Sequence, residues 1–375
     1  MLLVAILVAL ALTPPADASA GLLLGATDPL LAEANPLGSQ REAKRLASAG
    51  LDSVRLTVEW SLGETSLPAA ELARLTNAAR AAKADHLRLI LAIFPSGSRQ
   101  TPVDAADQAD FAAWAATIAR SLPSVRDFVV GNEPNLNRFW LPQFGPNGED
   151  VAAPAFVSLL AQTYDALKAV SPAIRIWGGG LARSGSDRPG TTRDTHSPVA
   201  FITDMGAAYR ASGRALPIMD GLAYHPYMEN SSIPPSRQHN DTSTTITIAD
   251  YARLVALLGQ AFDGTAQPGS SLPILYDEFG VESLVPPDEA QYYSGSELAT
   301  VRAVDPHTQA AYYASAARLA YCEPNVAGLA IFLFEDEHAL AGWQSGLYYA
   351  NAKAKPSLGT IRWAGRKIAH RTFAC

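Results

Sequence analysis

Short, nearly continuous apolar runs alternate along the chain with longer Ala-rich stretches whose apolar residues recur at helical spacing. The runs are GLLLGA (21–26), DSVRLTV (52–58), LRLILAIF (87–94), VRDFVVG (125–131), AIRIWGG (173–179), MDGLAYH (219–225), PILYDEF (273–279) and AGLAIFLF (327–334). Runs of this kind, without strict in/out alternation, predict parallel strands covered on both faces. Between them, helices are predicted over roughly 68–84, 152–169, 198–211, 247–263, 305–321 and 355–370. Ser39 with Glu42 predicts a capping box before AKRLASAG. Thr101-Pro102-Val103-Asp104 predicts another helix start, with proline at the first helical position. Beyond it, Phe111, Trp114, Ile118 and Leu122 share one helical face. Strands that are each followed by a helix predict a single (β/α)8 TIM barrel. The alternative is a doubly wound open sheet, which no Gly-rich phosphate fingerprint after the first strand supports. WGGG (177–180) reads instead as a tight exit from the fifth strand.

Composition adds bounds rather than a fold. The chain has 375 residues, 48% of them hydrophobic, which is ample for a large core. Its formal charge of −7 argues against nucleic acid as a partner. Residues 1–20 read as a signal peptide: LLVAILVALAL is too short to span a bilayer comfortably, and Ala18-Ser19-Ala20 is an A-x-A cleavage site. The expectation is therefore a secreted protein with a catalytic domain over 21–375, no membrane span and a monomeric state. Two cysteines, Cys322 and Cys375, are expected to pair after export.

Candidate chemistry lies where two strand-like runs end on a carboxylate. VVGNEPN (129–135) runs into Asn132 and Glu133, and PILYDEFG carries Glu278 at its end. In a barrel these positions face the mouth at the C-terminal ends of the strands, where active sites lie. Two carboxyls opposed across such a mouth can do glycoside hydrolysis, one protonating the leaving oxygen and the other attacking the anomeric carbon.

GNEPN on the fourth strand and YDEFG on the seventh resemble the clan A retaining glycoside hydrolases, especially families 5 and 39. That resemblance implies Glu133 as acid/base, Asn132 as a contact to the sugar 2-hydroxyl and Glu278 as nucleophile. VRLTVEW resembles the clan's second strand and implies that Arg55 supports the nucleophile. YHPY resembles the His-x-Tyr that ends the sixth strand and gives His225 and Tyr227. SGLYYANAKAKPS (345–357) resembles the segment before the last helix. The clan places a Trp near the end of the eighth strand. Here the stretch is IFLFEDEH, so Phe332 or Phe334 is expected in that role, with Trp343 as a further candidate. The β-sandwich of many family 39 enzymes is not expected.

Other residues have two readings. Trp140 either stacks on a leaving-group sugar or packs within its loop. Asp277 points to the face opposite Glu278 if the strand is regular, and is expected to be structural. Glu335-Asp336-Glu337-His338 either contacts sugar hydroxyls or a metal, or is a solvated loop. No metal and no other cofactor is expected. By the resemblance to the clan alone, the expected partner is a β-linked carbohydrate of gluco or xylo type, with pentofuranosides left open. A transglycosylase using the same residues and a non-catalytic carbohydrate-binding barrel are the alternatives.

Overall fold

A computed structural model describes residues 21–375; the signal-peptide reading falls outside the described residues. Eight parallel strands close into a barrel in sequence order. They are β1 (Leu23–Thr27), β2 (Ser53–Trp60), β3 (Arg88–Pro95), β4 (Asp127–Val130), β5 (Arg175–Ala182), β6 (Gly221–His225), β7 (Ile274–Phe279) and β8 (Val326–Ile331). The helices are α1 (Pro36–Ser48), α2 (Ala69–Ala84), α3 (Ala105–Ser121), α4 (Ala152–Val170), α5 (Pro198–Ala211), α6 (Tyr251–Phe262), α7 (Pro306–Cys322) and α8 (Pro356–Ala369). Each predicted run became a strand, as the (β/α)8 reading requires.

Two helix starts differ from expectation. The Ser39/Glu42 capping box does not form, because α1 begins earlier. Asn35 accepts from the Leu37 amide and Pro36 takes the first helical position. Ser39 lies inside the helix and its hydroxyl accepts from the Glu33 amide at 3.3 Å. Asp104, not Thr101, caps α3, accepting from the amides of Ala106 and Asp107. The Thr101 hydroxyl donates to the Ser98 carbonyl instead.

Two cores result. The larger packs strands against helices and holds Phe111, Trp114 and Phe156. The smaller fills the barrel itself, with Ile90, Ala92, Phe94, Val129, Trp177, Ala223 and Leu275. It makes the interior a solid plug rather than a pore. Asp127 anchors this plug from β4. It accepts from the Trp177 indole at 3.0 Å and pairs with Arg88 at 2.5 Å. Anything polar above the plug must therefore lie at the mouth. No described helix is long and apolar enough to cross a membrane.

WGGG is not the end of β5. The strand runs on to Ala182 through a register shift between Gly179 and Leu181. Gly179 and Gly180 have φ of 104° and 53°, the left-handed region where glycine is at ease. A Cβ at Gly180 would meet His225 Nε2 at 3.2 Å. The glycines thus let β5 pass close beside the mouth residues. Cys322, the last residue of α7, is bonded to Cys375 across a Cα–Cα distance of 5.5 Å, which ties the C-terminal tail to the helix layer.

Candidate active site

β4 ends at Val130, and the chain then turns inward. Gly131 has φ of 101° and Glu133 φ of 44°. A glutamate in the left-handed region is strained, and such strain persists only where neighbours hold it. Here the Glu133 amide donates to the Gly180 carbonyl at 2.8 Å. Asn135, fully buried, clamps the same turn: its side chain accepts from the Ala182 amide at 2.9 Å and donates to the His196 carbonyl at 2.9 Å. The turn aims the Glu133 carboxylate at His225, whose Nδ1 lies 3.1 Å from Oε1.

Glu278 reaches the same imidazole from β7. His225 Nδ1 is 3.6 Å from Glu278 Oε2. The two distances bound the separation of these carboxylate oxygens at about 6.7 Å. Arg55 Nη2 lies 2.9 Å from Glu278 Oε1, and the Tyr227 hydroxyl donates to Oε2 at 3.0 Å. Arg55 also donates to Asn132 Oδ1 at 3.3 Å. The structure therefore brings together Arg55, Asn132, Glu133, His225, Tyr227 and Glu278.

Asp277 departs from expectation. It does not sit away from the site but lies beneath it, fully buried, 3.2 Å from Arg55 Nε and 3.4 Å from His225 Nε2. The strand is not regular there: the β7–β8 register shifts between Tyr276 and Phe279, so simple alternation fails. The result is a buried layer with two cationic side chains, Arg55 and His225, against two carboxylates, Asp277 and Glu278. Burial works against a charge on His225, but Glu278 and Asp277 outweigh it and push the imidazole up to about 10. Burial likewise pushes Asp277 up, yet His225 and Arg55 hold it below the usual carboxylate range. Glu278 ends above that range: burial raises it, His225 and Arg55 oppose, and Asp277 and Glu133 add to the rise. Burial and then Glu278 drive the Tyr227 phenol well up, so it stays protonated and donates.

The aromatic candidates divide. Phe332 and Trp343 lie edge to face with ring centroids 5.2 Å apart, and Trp343 is 5.3 Å from Tyr227. Both stand beside Glu278's phenol partner. Phe334 does not reach the site. β8 ends at Ile331, so two-residue alternation no longer governs, and Phe334 packs in the core against Tyr348 with the Arg45 guanidinium 5.0 Å from its ring. Trp140 is also excluded: it is buried edge-on against Phe156 at 5.6 Å.

The acidic run is built into the loop after β8. Asp336 is buried and pairs with Lys355 at 2.7 Å, accepting also from the Tyr293 hydroxyl at 2.8 Å. Glu335 pairs with Arg45, and Glu337 accepts from the Trp343 amide at 2.7 Å. This last bond helps set the Trp343 loop. Among the described residues, no group of three or more His, Cys, Asp or Glu could hold a metal ion.

No protein-family model matches the chain, and no curated protein matches it in sequence. Solved structures do match in fold. A glucosidase from Croceicoccus marinus superposes with a TM-score of 0.62 at 14% identity, covering 94% of this chain and 69% of that one. GH5_18 from Streptomyces cattleya, in complex with Manβ1-4GlcNAc, gives 0.59 at 15% identity, covering 95% and 82%. A GH39 β-xylosidase from Caulobacter crescentus gives 0.56 at 17% identity, covering 94% and 72%. The chain thus has the (β/α)8 architecture of glycoside hydrolase structures that include members of GH5 and GH39.

Proposed function

We propose that the chain is a retaining glycoside hydrolase acting on a β-linked glycan or glycoside of gluco or xylo type. The observation that carries this reading is one imidazole reaching both strand-end glutamates. It holds their facing oxygens within about 6.7 Å, an upper bound that admits the roughly 5–5.5 Å of a double displacement and reaches only the short end of the roughly 6.5–9.5 Å of an inverting pair. The glucosidase and β-xylosidase among the similar folds favour the gluco and xylo types.

In the first step the Glu278 carboxylate attacks the anomeric carbon. The glycosidic bond breaks and the Glu133 carboxyl gives its proton to the departing oxygen. In the second step the Glu133 carboxylate takes a proton from water. The resulting hydroxide bonds to the anomeric carbon and the Glu278 ester bond breaks, restoring both groups. Arg55 and Tyr227 orient the nucleophile through its two oxygens. His225 and Asn132 line the space between the carboxylates, and Phe332 with Trp343 offers an apolar face to the sugar ring. Export is part of the proposal, resting on the apolar run and Ala18-Ser19-Ala20.

The test is proton NMR of the first-formed sugar from aryl β-glucosides and β-xylosides. The β-anomer appearing first supports the reading. The α-anomer first, or no hydrolysis of any glycoside in a broad panel, overturns it.

A further inference from the structure

A side pocket of about 500 Å³ opens beside the buried charge layer, on the flank made by β1, β2, β8 and the start of α2. Its wall includes Arg55 and Phe332, so it adjoins the proposed site directly. Thr27, at the end of β1, stands in register with Arg55 and therefore on the same barrel face. It is 6% exposed, and its hydroxyl is buried with no hydrogen-bond partner among the described residues. A buried hydroxyl left without a partner is costly and calls for a missing ligand or solvent group. Thr57, exposed on β2, adds a second hydroxyl to the wall.

The outer wall carries one carboxylate and one guanidinium from the first turns of α2, Glu71 and Arg74. Arg74 Nε donates to the Ala32 carbonyl at 2.7 Å, which sets the guanidinium plane while its outer edge stays exposed. The remaining lining is apolar, with prolines, leucines and the Phe332 ring. Apolar faces with a few fixed donors and acceptors suit a pyranose, which has an apolar face and a rim of hydroxyls.

The side of the cleft follows from the barrel. Glu133 on β4 protonates the leaving group, so the departing portion lies on that side. The strand opposite β4 in a closed barrel of eight is β8. The β8–β1–β2 flank therefore lies beyond the scissile sugar, on the side that the enzyme retains as glycosyl-enzyme.

We propose that this pocket binds a second, neutral pyranosyl unit attached to the non-reducing side of the scissile sugar, with Thr27, Glu71 and Arg74 as its hydroxyl contacts. The inference rests on the glycosidase reading and deepens it. The enzyme is then built for a glycone of two or more units rather than for a single terminal sugar.

The test compares 4-nitrophenyl β-monoglycosides of glucose, xylose and mannose with the matching 1,3- and 1,4-linked β-diglycosides. The readout is the ratio of kcat/KM for release of nitrophenol, diglycoside over monoglycoside. For at least one pair the wild-type ratio is expected to exceed roughly 10, as one or two hydrogen bonds to a charged side chain would give. Thr27→Val and Arg74→Ala should each lower that ratio several-fold. Thr27→Val keeps the side-chain shape and Arg74 is exposed, so folding is spared; unchanged melting curves check this. A wild-type ratio near or below one for every pair, or variants that leave the ratio unchanged, overturns the pocket assignment while the hydrolase stands. Failure of the wild type on every monoglycoside and diglycoside instead removes the glycosidase reading and this inference with it.

Discussion

Glu278 takes Arg55 and Tyr227 onto its carboxylate, with His225 slightly further off; among the described residues, Glu133 takes His225 as its side-chain partner. Their exposures differ in the same direction, 12% for the Glu278 side chain and 19% for that of Glu133. A carboxylate whose two oxygens are both gripped is fixed in aim, which suits attack on carbon. One held through a single oxygen keeps an edge for a proton to arrive and leave, which suits acid/base work. The unlike surroundings come from strands that end differently: β7 brings Glu278 down beside a buried ion layer, whereas the turn after β4 lifts Glu133 above it.

The largest way to break this comparison is to remove each carboxyl. Glu278→Ala should lower kcat on every substrate by roughly five orders of magnitude. Glu133→Ala should cost roughly 10²–10⁴ on glycosides with poor leaving groups and far less in the glycosylation step with dinitrophenyl glycosides. Equal losses across leaving groups for both variants would erase the distinction. The next effect is on stability. Arg55→Met leaves Asp277 and Glu278 without their guanidinium, and chemical denaturation should show a loss of about 3–5 kcal/mol. A loss below 1 kcal/mol would mean that His225 and Tyr227 suffice to hold both carboxylates without the guanidinium.

The tail disulfide serves as a contrast remote from both glutamates. Opening Cys322–Cys375 by paired serine substitution should cost about 2–4 kcal/mol while leaving the leaving-group dependence of the Glu133 variant intact. A changed dependence would show that the helix layer and the site are coupled.

The smallest effect concerns what the two glutamates share. The His225 charge is favoured in the folded protein, its value raised from 6.5 to about 10. Its stabilisation is fully present below 6.5 and is lost as pH rises through about 10, so stability should decline across that window. Asp277→Asn removes one of the charges that hold the imidazolium. The NMR titration of His225 should then move to lower pH, and the high-pH side of the kcat/KM profile should fall by roughly 10-fold. An unchanged titration would show that Glu278 and Glu133 hold the proton without Asp277.

What could be read in the sequence depended on how regular the backbone is. Eight apolar runs predicted eight strands because a barrel strand is covered on both faces and needs no polar positions. Glu133 and Glu278 were legible because a carboxylate at the end of such a run has no place in a core. Asp277 was rightly read as structural but put on the wrong face, because a one-residue register shift is invisible in a pattern of period two. Phe334 and Trp140 looked available because loops beyond strand ends carry no period, and only packing shows that both rings are buried. Asn135 had a signal, an amide two residues after the carboxylate, but its clamp on β5 depends on a contact 47 residues away in sequence. Thr27 had none: a threonine at the end of a strand is ordinary until its hydroxyl is found without a partner among the described residues.

The most direct test of the two roles is azide rescue of Glu278→Ala and Glu133→Ala on a dinitrophenyl β-glycoside, with the anomeric configuration of each glycosyl azide read by NMR. With Glu278 as nucleophile, azide should enter the emptied space on the face opposite the leaving group and give the α-azide. With Glu133 as acid/base, azide should replace water at the intact glycosyl-enzyme and give the β-azide. The opposite pairing of variant and anomer would contradict the assignment of roles.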